Sequence, residues 1–373
     1  MKVHNGTYRA QPSRRCHIPK SDGSQRTLGI AALEDKIIQH AVATVLNAIY
    51  ETDFKGFSFG FRPGRSQHDA LDALNAGLMK RKVNWVLDAD IQGYFDHIDH
   101  KWLLKFLQHR IADKRVLRLI KQWLMAGTVE AGQWRETKAG CPQGSVISPL
   151  LANIYLHYVL DLWVEPYRNR KACGEVIIVR YADDFIVGFQ YQNDAVEFRG
   201  MLEKRLKKFQ LKMHPKKTQL IRFGRFAESR CKEMGLGKPK TFVFLGFRHI
   251  CSHTRQGVFV VKRQTDKKRM RKKLQEIKQT LMKNRHASVV KQGEWLRRVV
   301  QGYLNYHAVP WNLEVLDGFR NNVCRYWLKA LGRRSQRHRL TWIKFSKLVR
   351  LFIPTVKLLH EYPVKRFDAK YSR

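Results

Sequence analysis

Residues 176–189 read Val176-Ile177-Ile178-Val179-Arg180-Tyr181-Ala182-Asp183-Asp184-Phe185-Ile186-Val187-Gly188-Phe189. β-Branched and aromatic residues lie on both sides of two adjacent acids, and such residues suit a pleated, half-buried surface. The expected structure is a β-hairpin with Asp183 and Asp184 at its tip. Two adjacent carboxylates inside an apolar hairpin are costly to bury, and they become tolerable when a divalent cation neutralises them. Asp-Asp is also common in exposed turns, but the apolar runs on both sides bury the flanks of this one.

Upstream, Trp85-Val86-Leu87-Asp88-Ala89-Asp90-Ile91 is a second apolar run that ends on an acid, followed by Gln92-Gly93-Tyr94-Phe95-Asp96. Two acid-tipped strands would place three carboxylates around a pair of Mg²⁺ ions. Such two-metal clamps stabilise the attacking and leaving oxygens in phosphoryl transfer. Working outward, residues 16–19, 21–24 and 26–30 read as strand, tight turn and strand. Residues 33–50 carry apolar side chains at helical spacing (Ile37, Ala41, Val45, Ile49). An amphipathic helix is expected over 100–127, broken near Ala112-Asp113, with further helices over 148–167 and 194–210. Short strands are expected at 218–223, 242–247 and 258–261, and helices throughout after Thr265. This order is an α+β core followed by a helical module, not an alternating parallel α/β fold.

A chain of 373 residues suits two or three packed units, and 44% hydrophobic residues exclude wholesale disorder. Lys plus Arg number 71 against 31 Asp plus Glu, a net charge of +40. A folded chain this basic calls for a polyanion, and nucleic acid is the common one. Residues 262–373 carry +22 of that excess and the first 261 residues +18, which suggests a boundary near 262. The longest uncharged run, 139–160, contains Gly140, Pro142, Gln143 and Asn153, poor material for a lipid-facing helix. The N-terminus has no apolar signal segment, and no two of the six cysteines form a CxxC pair. The expectation is a reduced, cytoplasmic chain without a zinc ribbon or a disulfide framework.

Asp90-Ile91-Gln92-Gly93-Tyr94-Phe95-Asp96, Gly140-Cys141-Pro142-Gln143-Gly144-Ser145 and Tyr181-Ala182-Asp183-Asp184 resemble, in order, the palm motifs of reverse transcriptases. The likeness is strongest to bacterial group II intron-encoded reverse transcriptase/maturases. Ile18-Pro19-Lys20-Ser21-Asp22-Gly23, Phe59-Gly60-Phe61-Arg62-Pro63-Gly64-Arg65, Phe244-Leu245-Gly246-Phe247 and Gly302-Tyr303-Leu304-Asn305-Tyr306 agree with that family, so the resemblance covers nearly the whole chain. It implies a right-hand polymerase, with shortened fingers over 1–82, an antiparallel palm sheet over 83–261 and an all-helical thumb/maturase domain over 262–373. It implies template-directed addition of dNTPs to a primer 3′-OH on an RNA template, with two Mg²⁺ ions for which Mn²⁺ can substitute. It also implies binding of group II intron RNA to assist splicing and mobility, with a DNA primer or target as a further partner. Nothing in the sequence calls for an obligatory protein partner or a membrane.

Residue by residue, the similarity makes Asp90, Asp183 and Asp184 the catalytic acids and Asp90, Ile91, Asp183 and Asp184 the metal-binding positions. Phe95 matches the aromatic gate beneath the sugar, where a ring would clash with a 2′-OH; otherwise it is an ordinary core phenylalanine. Lys20 and Arg26 match residues that hold the incoming triphosphate, a task suited to their charge and donor geometry. Gln143 and Gly144 match the loop lining the nascent base pair, and glycine there lets backbone approach closely. Lys217 matches a lysine assigned to protonate the leaving pyrophosphate, with Lys216 adjacent. In the basic helical end, Trp295, Tyr303 and Trp327 are expected to be mostly packing. Arg333, Arg334, Arg337 and Arg339 are the candidates for RNA contact, or else a solvated basic loop. Two departures stand out. The chain starts almost at the 16–29 hairpin, where the family carries a preceding extension, and no cysteine follows Cys324, so a zinc-dependent HNH module is not expected. The first departure supports an alternative: an RNA-binding splicing cofactor with weak or no polymerase activity. A reverse transcriptase recruited to defence is a third reading, which no accessory segment supports.

Overall fold

The hairpin expected at 176–189 forms the edge of a four-stranded antiparallel sheet. The computed structural model describes residues 2–19, 25–137, 139–334 and 340–371. Chain contacts group these residues into two units, 1–77 with 81–222, and 78–80 with 223–373. In the first unit, β1 (Ser13–Pro19) and β2 (Gln25–Ile30) form an antiparallel pair, followed by α1 (Leu33–Tyr50). Next come α2 (Gln67–Lys80), started by a capping box between Ser66 and Asp69, and β3 (Trp85–Asp90). The amphipathic run at 100–127 divides into α3 (His100–Gln108) and α4 (Lys114–Met125). Asp113 causes the break, because its carboxylate accepts from the Arg115 N–H as an N-cap. A small hairpin, β4 (Thr128–Glu130) and β5 (Gln133–Arg135), joins β1 in parallel and completes a second sheet of order β2-β1-β4-β5.

The next helical stretch is α5 (Ser148–Leu156) and α6 (Leu162–Pro166), with π-helical turns at His157–Asp161 and Tyr167–Lys171. Pro166, which has no N–H to donate, lies inside it. Then follow β6 (Val176–Tyr181), β7 (Asp184–Phe189), α7 (Gln192–Lys208) and β8 (Gln219–Arg222). The main sheet has the order β6-β7-β3-β8, and every neighbour is antiparallel. Its register pairs Leu87 with Val187 and Ala89 with Phe185, and these four side chains enter the core with Leu103, Phe106 and Phe198. Full burial of a ring such as Phe185 contributes about 1.5–3 kcal/mol. Side chains alternate along a strand. Asp88, Asp90 and Asp184, which faces Asp90 across the ladder, therefore share the sheet's other face.

The second unit contains α8 (Ala227–Glu233) and a three-stranded antiparallel sheet of β9 (Phe242–Phe244), β10 (Phe247–His253) and β11 (Phe259–Thr265). Among the described residues the helices α9 (Lys267–Lys283), α10 (Val289–His307), α11 (Leu313–Gly332), α12 (Trp342–Phe352) and α13 (Pro363–Tyr371) follow. Their core gathers Leu274, Leu296, Val300, Phe319 and the fully buried Trp327, with Trp295 and Tyr303 packed against it. The expected boundary at 262 falls inside β11, and residues 223–261 belong by contact with the helices that follow. No helix among the described residues is long and apolar enough to cross a membrane.

Most of β10 escapes the apolar pattern because its inward positions are not all apolar. His249 lies opposite Arg263 in the ladder, both are fully buried, and the imidazole stacks on Phe242 at 4.7 Å. Burial, helped by the Arg263 charge, pushes the His249 pKa down to about 3; burial and Arg269 push His307 down to about 4. Both folded values lie below the unfolded value near 6.5, so the unfolded chain binds more protons between them. Stability is therefore complete above about pH 6.5 and lost as pH falls toward 4, by up to about 1.4 kcal/mol per pH unit for each histidine. His249→Phe, which keeps the stack and removes one titration, is expected to shallow the fall of melting temperature between pH 6.5 and pH 4. An unchanged slope in thermal melts across that range would overturn the assignment.

Candidate active site

Asp90 of the main sheet and Asp183 of its hairpin turn open onto one cavity of about 660 Å³ in the first unit. The end of β3 delivers Asp90 to it, the residue after the strand is Ile91, and the turn between β6 and β7 delivers Asp183. That turn is a two-residue connection, since Tyr181 pairs with Asp184. Asp183 therefore sits at the tip. Asp184 is the first residue of β7, opposite Asp90, and is not among the cavity's lining residues. Ala182 in the same turn has φ +57°, a left-handed conformation that non-glycine residues adopt at a cost.

The far wall comes from two segments bound to each other. The N–H of Cys141 donates to the Phe95 carbonyl at 2.8 Å, and that of Gly140 donates to the Ile98 carbonyl at 2.8 Å. These bonds set Phe95 beside Gln143 and Gly144, and all three line the cavity. The 143–144 backbone is in turn laid on β2, with the Gly29 N–H donating to the Gln143 carbonyl at 2.6 Å. Gly144 has φ +104°, and a Cβ there would lie 3.1 Å from the Gly29 carbonyl oxygen. A side chain there would be strained by the backbone conformation and tight against Gly29.

The Lys217 ammonium donates to Asp90 Oδ2 at 3.0 Å. Asp88, one pleat back on the same face, has its carboxyl pushed up to about 6, chiefly by burial and further by the Asp90 charge, against an opposing hydrogen bond from Gln219. Among the described residues, no three His, Cys, Asp or Glu side chains cluster closely enough to hold an ion unaided. Asp90 and Asp183 on a shared cavity do fit a hard, oxygen-seeking cation that takes one or two carboxylates and completes its shell from water and substrate phosphate.

The cavity thus brings together seven expected residues: Asp90, Ile91, Phe95, Gln143, Gly144, Asp183 and Lys217. Lys20, Arg337 and Arg339 lie outside the described residues, as does the side chain of Arg26, whose backbone pairs with Ile18 in β2. In the second unit, Arg333 is exposed at the end of α11, whereas Arg334 is half-buried and donates to the Ala287 carbonyl. Arg334 is therefore in part a structural clasp.

Sequence reasoning missed Gln39. Its buried amide oxygen accepts from Ser145 Oγ at 2.8 Å and from the Val146 N–H at 3.1 Å, anchoring the 143–146 loop to α1. A polar residue amid apolar helical spacing was the available signal. Phe61 and His214, also unforeseen, line the cavity.

Residues 18–249 match the reverse transcriptase (RNA-dependent DNA polymerase) family. The chain is 34% identical over 286 residues to protein YkfC of Escherichia coli (strain K12), which covers 68% of this chain and 70% of that protein. It is 45% identical over 168 residues to the group II intron-encoded protein LtrA of Lactococcus lactis subsp. cremoris, which covers 43% of this chain and 27% of that relative. Among solved structures, apo telomerase from Candida tropicalis superposes with a TM-score of 0.52 at 14% identity, covering 91% of this chain and 61% of that one, a likeness of fold. The polymerase architecture, the order of the sheet-borne acids and the family match over more than half of the chain lead to one assignment: the chain belongs to the reverse transcriptase (RNA-dependent DNA polymerase) family.

Proposed function

We propose that the protein adds dNTPs to the 3′-OH of a primer on an RNA template, with Asp90, Asp183 and Asp184 as its catalytic acids. The observation that carries this reading is the shared cavity, in which Asp90 and Asp183 face Phe95 and the Gln143–Gly144 loop. Mg²⁺, held by Asp90, Asp183 and the Ile91 position with Asp184 as the companion acid, would polarise the attacking hydroxyl and neutralise phosphate charge. Around it the chain's own groups divide the work. The Asp90 and Asp183 carboxylates supply fixed negative charge on one wall. Lys217, at hydrogen-bond distance from Asp90, is assigned to protonate the leaving pyrophosphate. Gly144 removes any side chain from the floor beneath the nascent pair, and Gln143 borders it. Lys20 and Arg26 are assigned to the triphosphate by charge.

The first unit supplies fingers and palm in this reading, and the helices of the second supply the thumb. Binding of group II intron RNA in aid of splicing is proposed on the likeness to LtrA, a group II intron-encoded protein. The basic residues around Arg333 to Arg339 are its candidate contacts, and a bacterial cytoplasm or nucleoid is the setting. Primer extension by the purified protein on an RNA template with Mg²⁺ tests the main reading: dNTP-dependent extension is expected, and its absence alongside tight RNA binding would favour the splicing-cofactor alternative. The role of Phe95 is separable. Phe95→Val should open space under the sugar and raise ribonucleotide incorporation relative to deoxynucleotide by about tenfold or more, the scale of removing a clash of about 1.4 kcal/mol. An unchanged ratio in an otherwise active variant returns Phe95 to the core.

A further inference from the structure

The Arg180 guanidinium is fully buried in a core-facing position. The ladder pairs Arg180 with Phe185, and Phe185 with Ala89, so its side chain enters the apolar face, away from Asp90 and Asp184. An apolar residue would satisfy that position. Instead the guanidinium makes four hydrogen bonds. Nε and Nη2 donate to the two oxygens of Asp161, also fully buried, at 2.8 and 2.5 Å. Nη1 donates to Asn153 Oδ1 at 3.0 Å and to the Ala182 carbonyl at 3.0 Å. Asn153 extends the chain of bonds, its amide donating to the Gly60 carbonyl at 2.5 Å. Gly60 closes the circuit by steric fit, since a Cβ on it would fall 2.3 Å from the Ala182 nitrogen. The strained residue next to Asp183 is therefore gripped at its carbonyl by Arg180 and walled at its nitrogen by Gly60, and Asn153 ties the two grips together.

We infer that the buried Arg180–Asp161 ion pair and Asn153 form a positioning device that fixes the left-handed turn at Ala182 and so aims the Asp183 carboxylate into the cavity. None of the three touches the cavity; they act through the turn. Physical economy supports this reading. A buried ion pair is often no more stabilising than well-packed apolar residues of the same volume. A left-handed alanine persists only where its surroundings over-determine it. A planar fork that bonds Asp161 at two points and still reaches Ala182 and Asn153 supplies that constraint, which a lysine's point charge cannot.

The inference rests on the polymerase reading for its kinetic arm and is independent of it in its binding arm. The decisive variant is Arg180→Met with Asp161→Leu, which replaces the pair by apolar residues of similar volume. Circular dichroism and thermal melting are expected to show it folded. Its kcat for primer extension is expected to fall about 100-fold, the scale set by an error of about 1 Å in a reacting group, with the KM for dNTP and the affinity for RNA near wild type. Mn²⁺ affinity, read by electron paramagnetic resonance without substrate, is expected to weaken relative to wild type. A folded double variant with wild-type kcat and wild-type Mn²⁺ affinity overturns the proposal and makes the pair structural only. If the double variant does not fold, Asn153→Ser decides, because it cuts the link to Gly60 and leaves the ion pair intact. Lowered kcat and weaker Mn²⁺ binding support the device, and wild-type values of both overturn it. If the wild type itself extends no primer, the polymerase reading fails, and the Mn²⁺ comparison alone judges the positioning role.

Discussion

Asp183→Asn should cut primer extension by about a thousandfold or more, because each 1.4 kcal/mol of lost transition-state stabilisation is a factor of ten and a metal ligand's charge contributes several kcal/mol. The substitution keeps the side chain's size and its place at the turn between Tyr181 and Asp184, so the fold should survive. RNA affinity should stay close to wild type, since it comes from a chain carrying +40, to which one acid contributes little. Single-turnover extension and fluorescence anisotropy on a labelled RNA separate the two effects. Near-normal extension would sink the assignment of this cavity as the catalytic one. Joint loss of extension and RNA binding would instead point to a damaged fold.

Arg180→Ala should lower stability by about 3–5 kcal/mol, the usual consequence of leaving one charge of a buried pair without its partner. Asp161 would keep its carboxylate in an apolar surround, with His157 Nδ1 3.9 Å away and that imidazole held below its ordinary pKa by burial. Asn153 and the Ala182 carbonyl would each lose a donor as well. Urea denaturation followed by circular dichroism measures the loss. Removing the exposed Lys2–Glu34 pair provides the contrast, with an expected effect of less than about 1 kcal/mol, because water already solvates both partners. Equal losses for the two pairs would mean that the Arg180 pair is no more critical than a surface contact. The expected instability of this single variant is also why the paired apolar replacement is the better probe of positioning.

Local pattern carried much of this molecule. The bounds of α1, the break between α3 and α4, the hairpin around Asp183 and the apolar run ending on Asp90 are all readable from periodicity, capping residues and β-branched content within a few residues of each feature. The ordered motifs identified the family because their chemistry is written in short contiguous stretches. Other features depended on contacts between distant residues. Of the apolar positions spaced along α1, Ile37 and Val45 face solvent, 63% and 60% exposed, while Asp35 and Gln39 point inward with Ala43, Leu46 and Tyr50. Periodicity gives the spacing of a face but not its direction; direction followed from Tyr8, which donates to Asp35, and from the loop at Ser145, which uses Gln39. Lys217 meets Asp90 across 127 residues, and Arg180 meets Asp161 through a helix and a turn that no spacing rule connects. A buried polar group is stable only with its partner, and the tertiary fold alone decides which distant residue that partner is.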